Sequence, residues 1–146
     1  MKIGVPKEIK PQEARVGVTP AGALTLIRAG HEVHVQKSAG LLSGFSDDAY
    51  LEVGCTMEPD IESVYKFAEM IIKVKEPQHE EYDLLKSGQI LFTYLHLAPL
   101  RELTEVLKEK KVIAIAYETV QEGGRVPLLE PMSQIAGRVA PMVASQ

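Results

Sequence analysis

The sequence predicts an α/β domain in which a doubly wound, mostly parallel sheet carries helices on both faces. Short apolar runs of strand-like composition alternate with helical stretches along the chain. Most of these runs are apolar at successive residues, as expected for strands that are covered on both sides. Each crossover helix of such a sheet buries one apolar stripe against it, which accounts for the alternation.

Five segments of four or five residues are predicted to be strands because β-branched and other apolar residues dominate them. They are residues 2–5, 32–36, 70–74, 90–93 and 112–116. A helix is predicted between Thr19, an N-cap residue followed by proline, and Gly30, which ends it. Asp47, Asp60 and Pro99 mark further helix starts near residues 48, 60 and 100.

Size and charge narrow the class of protein. At 146 residues and 45% hydrophobic content, the chain can build one core without disulfides or metal. The net charge of -4 and the mixing of Lys with Glu argue against a basic face for nucleic acid or an anionic membrane. Cys55 stands alone, no secretory signal opens the chain, and no apolar run approaches the about 20 residues that span a bilayer. We therefore expect a protein of the reducing cytoplasm without nucleic-acid or membrane partners.

The last quarter of the chain predicts a boundary. Gly and Pro residues within 121–127 indicate a loop or hairpin. Apolar residues then recur at helical spacing, namely Met132, Ile135, Val139 and Met142 or Val143. No capping residue ends this helix before Gln146. The sequence thus predicts a domain over 1–127 and, over 128–146, the start of an interdomain helix that leads to a part outside this chain.

Polar side chains follow four of the predicted strands, where ligands bind in open parallel sheets. They are Arg15 after the first strand, Lys75 at the end of the third, Tyr94 and His96 after the fourth, and Glu118 after the last. Because the carboxyl ends of parallel strands meet at one edge of the sheet, these side chains are candidates for a common site.

Three of these residues suit a small carboxylate that carries a carbonyl group. The Arg15 guanidinium can hold a carboxylate through two parallel hydrogen bonds. The Lys75 ammonium can stabilise negative charge on a carbonyl oxygen, and the His96 imidazole can transfer protons near neutral pH. The ordinary alternatives stay open: a solvated loop arginine, Lys73 and Lys75 as solvated lysines of an edge strand, and a core histidine that bonds to the backbone.

Neither a metal site nor a dinucleotide fingerprint is expected. None of the other histidines has a metal-like spacing with His96 or Cys55. Residues 40–44 lack the Gly-x-Gly-x-x-Gly spacing, and Gly123 with Gly124 opens no helix. The domain that would bind a nicotinamide cofactor is therefore not predicted within this sequence.

Eight segments carry a family pattern from one end of the chain to the other. They are residues 4–10 (GVPKEIK), 15–20 (RVGVTP), 29–33 (AGHEV), 43–45 (SGF), 73–77 (KVKEP), 92–98 (FTYLHLA), 115–119 (IAYET) and 127–133 (PLLEPMS). In order and spacing they resemble the N-terminal domain of the alanine dehydrogenase and nicotinamide nucleotide transhydrogenase family, on the alanine dehydrogenase side. The resemblance implies a Rossmann-like or flavodoxin-like catalytic domain, with the cofactor-binding Rossmann domain absent from this chain.

The resemblance also implies a reaction, the oxidative deamination of L-alanine by NAD to pyruvate and ammonia, and its reverse. In that reaction Arg15 would grip the substrate carboxylate and Lys75 would contact the oxygen on the reacting carbon. His96 would exchange protons with the reacting group, and Tyr94 would line the pocket. His96 and Lys75 are thus the expected catalytic residues.

Further implications concern the cofactor and the assembly. Met132 and Ser133 would reach NAD, which the missing domain mainly binds, and Glu118 would be structural or, less favoured, a cation contact. The isolated piece is expected to be inactive and to expose apolar surface that the intact homohexamer covers. The sequence departs from the family pattern at Leu42, at Cys55 and at Ala14. The departure at Ala14 leaves the loop conformation beside Arg15 open.

Three alternatives remain. The first is the soluble subunit of a proton-translocating transhydrogenase, which would need a membrane partner and would not act on alanine. A saccharopine or lysine-pathway reductase is a more distant one. The third is a non-catalytic α/β module that binds a keto acid; measurable affinity of this chain for NADH would contradict it.

Overall fold

Six parallel strands form a single sheet in the structure, a computed structural model that describes residues 1–145. The strands are β1 (Lys2–Val5), β2 (Glu32–Gln36), β3 (Thr56–Glu58), β4 (Met70–Ile72), β5 (Ile90–Thr93) and β6 (Ile113–Ala116). Their order across the sheet is β3-β2-β1-β4-β5-β6, so the chain winds outward from β1 in two directions. The predicted doubly wound parallel sheet is confirmed.

Five α-helices accompany the sheet: α1 (Pro20–Arg28), α2 (Asp47–Glu52), α3 (Ile61–Phe67), α4 (Arg101–Glu109) and α5 (Glu130–Ala144). The predicted capping residues start two of them. Thr19 Oγ1 accepts the Gly22 N–H at 3.2 Å, and Asp60 Oδ1 accepts the Ser63 N–H at 2.8 Å. These local bonds explain why the helix starts could be located from sequence.

Two buried clusters cover the two faces of the sheet. One packs α1 and α2 against β1 and β2, and the other packs α3 and α4 against β4 and β5. Apolar residues that alternate along each strand supply both, for example Val33 and Val35 in the first cluster. The predicted coverage by helices on both faces is therefore confirmed.

Strand prediction was wrong at two places. Residues 56–58 form β3, which was not predicted because it has only three residues and two of them are polar. The third predicted strand, 70–74, ends at Ile72. It stops early because the Glu8 carboxylate, rather than a neighbouring strand, accepts the Val74 N–H, at 2.6 Å. Lys75 therefore lies three residues beyond the strand and not at its tip.

The interpretation of Lys73 and Lys75 as solvated lysines of an edge strand is wrong. β4 lies between β1 and β5, in the middle of the sheet. The Lys73 side chain is fully buried and Lys75 is half-buried. The burial of Lys73 was not predicted, because a lysine in an apolar strand is usually exposed.

Gly17 allows the loop that carries Arg15 to lie against the end of β4. A Cβ atom at this position would stand 2.7 Å from the Ile72 carbonyl oxygen and 3.1 Å from the Lys73 Cα. Both are backbone atoms, so the clash cannot be relieved by a side-chain rotation. Close approach between the two segments therefore requires glycine.

We expect Gly17→Ala to lower the free energy of unfolding by about 1–3 kcal/mol, because backbone must move to admit the methyl group. Thermal denaturation of the purified chain measures this as a lower Tm. Gly137→Ala, on exposed α5, is the matched control. Beyond its own helix backbone and its two chain neighbours, no atom within residues 1–145 lies less than 4 Å from the place of its methyl group. Alanine is also favoured over glycine in a helix by about 0.5–1 kcal/mol, so this variant should not lower Tm. Equal melting of Gly17→Ala and the parent would contradict the close packing described here.

The segment after β6 forms the predicted turn and helix. Glu122 and Arg125 pair in an antiparallel bridge around Gly123 and Gly124, both of which have positive φ. Helix α5 follows, with exposed apolar side chains, among them Ile135 (55%) and Met142 (67%). The expected exposed apolar surface is confirmed, whereas the division into 1–127 and 128–146 stays a prediction and Gln146 lies outside the described residues. No helix within 1–145 is long and apolar enough to cross a membrane.

Candidate active site

One cleft at the carboxyl edge of the sheet brings the predicted site residues together. Its polar lining comes from Arg15, Lys75, Tyr94, His96 and Glu118, and its apolar lining from Leu129, Met132 and Ala136. The cleft encloses about 480 Å³, a size suited to a small molecule. Five polar side chains from four separate segments of the chain thus face one small volume.

Arg15 is held by a carboxylate that the sequence analysis missed. Glu13 Oε1 accepts a hydrogen bond from Arg15 Nε at 2.8 Å, and Glu13 Oε2 accepts one from Nη2 at 2.7 Å. The Glu13 side chain is 6% exposed, whereas that of Arg15 is 42% exposed. This hydrogen bonding lowers the pKa of Glu13 and raises that of Arg15. Arg15 is therefore a fixed cation, not the freely solvated loop residue of the alternative interpretation.

The pairing with Glu13 leaves one edge of the guanidinium available. Nε and one hydrogen of Nη2 are engaged by Glu13, and Nη1 approaches the Met132 sulfur at 3.5 Å. The edge formed by Nη1 and Nη2 can still donate two parallel hydrogen bonds. A small carboxylate in the cleft fits this edge without displacing Glu13.

The loop beside Arg15 is tied down despite the unusual Ala14. Ser43 Oγ donates a hydrogen bond to the Ala14 carbonyl oxygen at 2.8 Å. Because the backbone of Ala14 makes this contact, the side chain at position 14 is not needed for it. The departure from the family pattern at Ala14 is thus compatible with an ordered loop.

His96 has a strained backbone that Glu118 holds in place. Its φ is 45°, a left-handed conformation that costs energy for a residue with a side chain. The Glu118 carboxylate accepts the His96 N–H at 2.7 Å and the Leu95 N–H at 3.1 Å. The His96 residue is exposed, so the alternative of a core histidine is wrong. Such strain is concentrated at functional sites, where surrounding contacts maintain it.

Tyr94 lines the cleft, and Tyr117 packs against it. The Tyr94 hydroxyl donates to the Leu128 carbonyl oxygen, and its ring meets the Tyr117 ring edge-on with centroids 4.9 Å apart. Burial raises the pKa of both phenols above their usual value, further from neutral pH. Tyr117 was missed, although its position at the end of β6, directly before Glu118, was a usable signal.

The remaining predicted residues differ in their placement. Lys75 faces the cleft from the segment after β4, and Met132 faces it from α5. Ser133 is exposed and does not line the cleft, so its contact with a cofactor stays a prediction. Within residues 1–145, no three His, Cys, Asp or Glu side chains are grouped so that they could hold a metal ion.

Comparison with known proteins places these residues in a family context. Residues 4–136 match the family model for the N-terminal domain of alanine dehydrogenase/PNT. Alanine dehydrogenase of Methanococcus maripaludis is 53% identical over the whole of this chain, which spans 39% of that relative. A solved L-alanine dehydrogenase superimposes on 95% of this chain with a TM-score of 0.92 and 51% identity, and the match covers 38% of that protein.

A second solved structure shows how far the fold extends. Transhydrogenase from Sinorhizobium meliloti matches 84% of this chain with a TM-score of 0.78 but only 24% identity. At this identity the likeness concerns the fold alone. The chain spans about two fifths of the length of the two alanine dehydrogenases named above.

Proposed function

This chain belongs to the family of alanine dehydrogenase/PNT N-terminal domains, and from that premise we propose that it is the substrate-binding half of an NAD-dependent alanine dehydrogenase. The observation that carries the proposal is the convergence of Arg15, Lys75 and His96 on one cleft. A fixed guanidinium, an ammonium and an imidazole match the carboxylate, the carbonyl oxygen and the proton transfers of a 2-keto acid. The high identity to an alanine dehydrogenase supports the same assignment.

In the proposed reaction L-alanine, NAD⁺ and water give pyruvate, ammonium, NADH and a proton. Arg15 orients the substrate by holding its carboxylate on the free edge of the guanidinium. Lys75 donates to the oxygen that appears on Cα as pyruvate forms and stabilises the negative charge that develops there. These two contacts fix both ends of the three-carbon acid.

His96 carries the protons. Hydride loss from alanine leaves an iminium carbon, which water attacks before ammonia can depart. The imidazole accepts a proton from that water and returns one to the leaving nitrogen, and both steps need a ring that is free to reach the cleft. The exposed ring of His96 and its restrained backbone meet that need.

The cleft also suits the reactive end of a nicotinamide cofactor. Leu129, Met132 and Ala136 form the apolar part of the lining, and such a surface accommodates a flat ring next to a small polar substrate. NAD, when bound, would supply the hydride acceptor for Cα of alanine. Met132 would contact the nicotinamide end, and Ser133 would reach the more polar part of the cofactor from the same helix.

The setting of the intact enzyme is part of the proposal. We infer a homohexamer in the cytoplasm, with L-alanine or pyruvate and ammonia as small-molecule partners and with most of the NAD contacts made outside this chain. The exposed apolar residues of α5 and β6, such as Ile135 and Ile113, support burial in a larger assembly.

Glu118 is expected to act through His96. Glu118→Ala removes the acceptor of two backbone N–H groups, and we expect kcat to fall by about 10- to 100-fold because a charge-assisted hydrogen bond is worth about 1.5–3 kcal/mol. Glu118→Gln retains an acceptor oxygen and should lose less. Glu122→Ala, in the exposed turn nearby, is the control and should retain the parent rate. If Glu118→Ala also retained it, Glu118 would have no part in positioning His96.

The protein from the complete reading frame tests the proposal in the reductive direction. We expect NADH oxidation that requires both pyruvate and ammonium. Hydride transfer from NADH to an NADP analogue without either substrate would instead support the transhydrogenase alternative. If the protein bound pyruvate but not NADH, the non-catalytic keto-acid module would be the better assignment.

A further inference from the structure

A buried group of charges contacts the backbone of Lys75 and has no place in the reaction just described. Lys73 and Glu81 are 0% exposed and Glu8 is 2% exposed in their side chains. Lys73 Nζ donates to Glu81 Oε1 at 2.7 Å and lies 3.5 Å from Glu8 Oε2. We call these three residues the buried ion cluster.

The two carboxylates of the buried ion cluster differ in how many hydrogen bonds they accept. Glu81 also accepts hydrogen bonds from the Tyr65 hydroxyl at 2.9 Å and from the Gln78 N–H at 2.8 Å. Glu8 Oε2 accepts no hydrogen bond from residues 1–145, and burial raises the pKa of Glu8 although the nearby Lys73 opposes the rise. Desolvating such charges is costly, and apolar residues of similar volume would often be at least as stable. Stability alone therefore does not account for Glu8.

The other oxygen of Glu8 explains its position. Glu8 Oε1 accepts the Val74 N–H at 2.6 Å, and the Lys75 N–H approaches it at 3.4 Å. These are the residues at which the chain leaves β4 and turns toward the cleft. Glu8 itself follows β1, on the segment that continues to Arg15. One carboxylate thus joins the segment of Arg15 to the backbone of Lys75, and the buried Lys73 ammonium pairs with the same carboxylate.

We propose that Glu8 is a positioning residue for Lys75. Its carboxylate fixes the backbone at residues 74 and 75, so that the Lys75 ammonium meets the substrate oxygen while Arg15 holds the carboxylate. The catalytic consequence rests on the proposed function, whereas the structural link between Glu8 and Lys75 does not. Both parts can be measured separately.

The first experiment needs no turnover. The Lys75 amine of the protein from the complete reading frame is labelled with acetic anhydride, and mass spectrometry compares its rate with that of exposed Lys37. We expect Glu8→Ala to change the acetylation rate of Lys75 relative to Lys37 by at least about threefold, because the backbone at residues 74 and 75 loses its hydrogen-bond acceptor. Glu8→Gln keeps an acceptor oxygen and should remain near the parent rate. An unchanged rate in Glu8→Ala would overturn the proposal.

Glu69→Ala is the matched control. The Glu69 carboxylate also accepts a strand N–H, that of Lys2 at 2.8 Å, but it lies at the opposite edge of the sheet from the cleft. Its removal should leave Lys75 labelling unchanged. If Glu8→Ala does not fold, Glu8→Asp carries the same expectation, because it retains the charge and withdraws it by one methylene group from Val74.

The second experiment separates positioning from general loss of structure. We expect Glu8→Ala to lower kcat/KM for pyruvate by about a hundredfold, because a small displacement of the Lys75 ammonium can have an effect of that size. In a Lys75→Ala background the same change should cost less than about threefold, because the effects of coupled residues do not add. Fully additive effects would overturn the proposal. A parent protein that forms no NADH from L-alanine would contradict the proposed function, and the labelling result would still decide the role of Glu8.

Discussion

Replacing His96 with alanine is expected to lower kcat for L-alanine oxidation by more than about a hundredfold, the lower end of what a general acid or base contributes. The other polar side chains that line the cleft have other partners or roles: Glu118 accepts backbone N–H groups, Arg15 is paired with Glu13, and Lys75 is assigned to the substrate oxygen. Burial raises the pKa of the Tyr94 phenol further above neutrality. The KM for L-alanine should change much less, because Arg15 and not His96 holds the carboxylate. Steady-state initial rates in the protein from the complete reading frame measure both constants.

His79→Ala is the control for this experiment. His79 is a histidine with an 80% exposed side chain, outside the cleft, so its loss should leave kcat unchanged. Far-ultraviolet circular dichroism and Tm verify that both variants fold. A near-normal kcat in folded His96→Ala would remove His96 from the mechanism.

Replacing Arg15 with lysine is expected to raise the KM for pyruvate by about 10- to 100-fold although the positive charge is retained. A single ammonium cannot engage Glu13 through two bonds and at the same time offer two more to the substrate. The loss should fall mainly on binding, since Lys75 and His96 are untouched. Initial rates with varied pyruvate, at saturating NADH and ammonium, measure it.

Arg125→Lys provides the comparison. Arg125 also pairs through two nitrogens with a glutamate, Glu130, but it lies outside the cleft. Its replacement should therefore leave the KM for pyruvate unchanged. If Arg15→Lys bound pyruvate as the parent does, the substrate carboxylate would have to be assigned to Lys75.

The fold could be predicted because its signals are local. Each of these signals acts within a few residues along the chain: the alternation of short apolar runs with helices, the N-caps Thr19 and Asp60, and the glycines near residue 123. β3 escaped prediction because Thr56–Glu58 is held by its pairing with β2 and not by its own composition. Tertiary pairing of this kind leaves little trace in three residues.

The site could be predicted only where residue type and strand position agreed. Arg15, Lys75, Tyr94 and His96 each follow a strand, and the parallel sheet brought them to one cleft. Their supports could not be found in the same way. Glu13 and Glu8 are ordinary acidic residues of a loop in the sequence, and their roles depend on contacts with a guanidinium and with the backbone of Val74.

Glu118 shows an intermediate case. Its place after the last strand was visible in the sequence, but its bonds to the N–H groups of Leu95 and His96 required the structure. A carboxylate that binds the backbone of a distant segment has no characteristic sequence spacing, unlike an N-cap such as Asp60. The supporting residues of a site are thus harder to predict than the residues that face the ligand.

The most direct test is the formation of NADH from NAD⁺ by the protein from the complete reading frame, with and without L-alanine. The proposed function predicts NADH formation that requires L-alanine, produces pyruvate and ammonium in equal amounts, and is lost in His96→Ala. A folded protein that binds NAD⁺ but forms no NADH from L-alanine would contradict the assignment of this cleft to alanine oxidation.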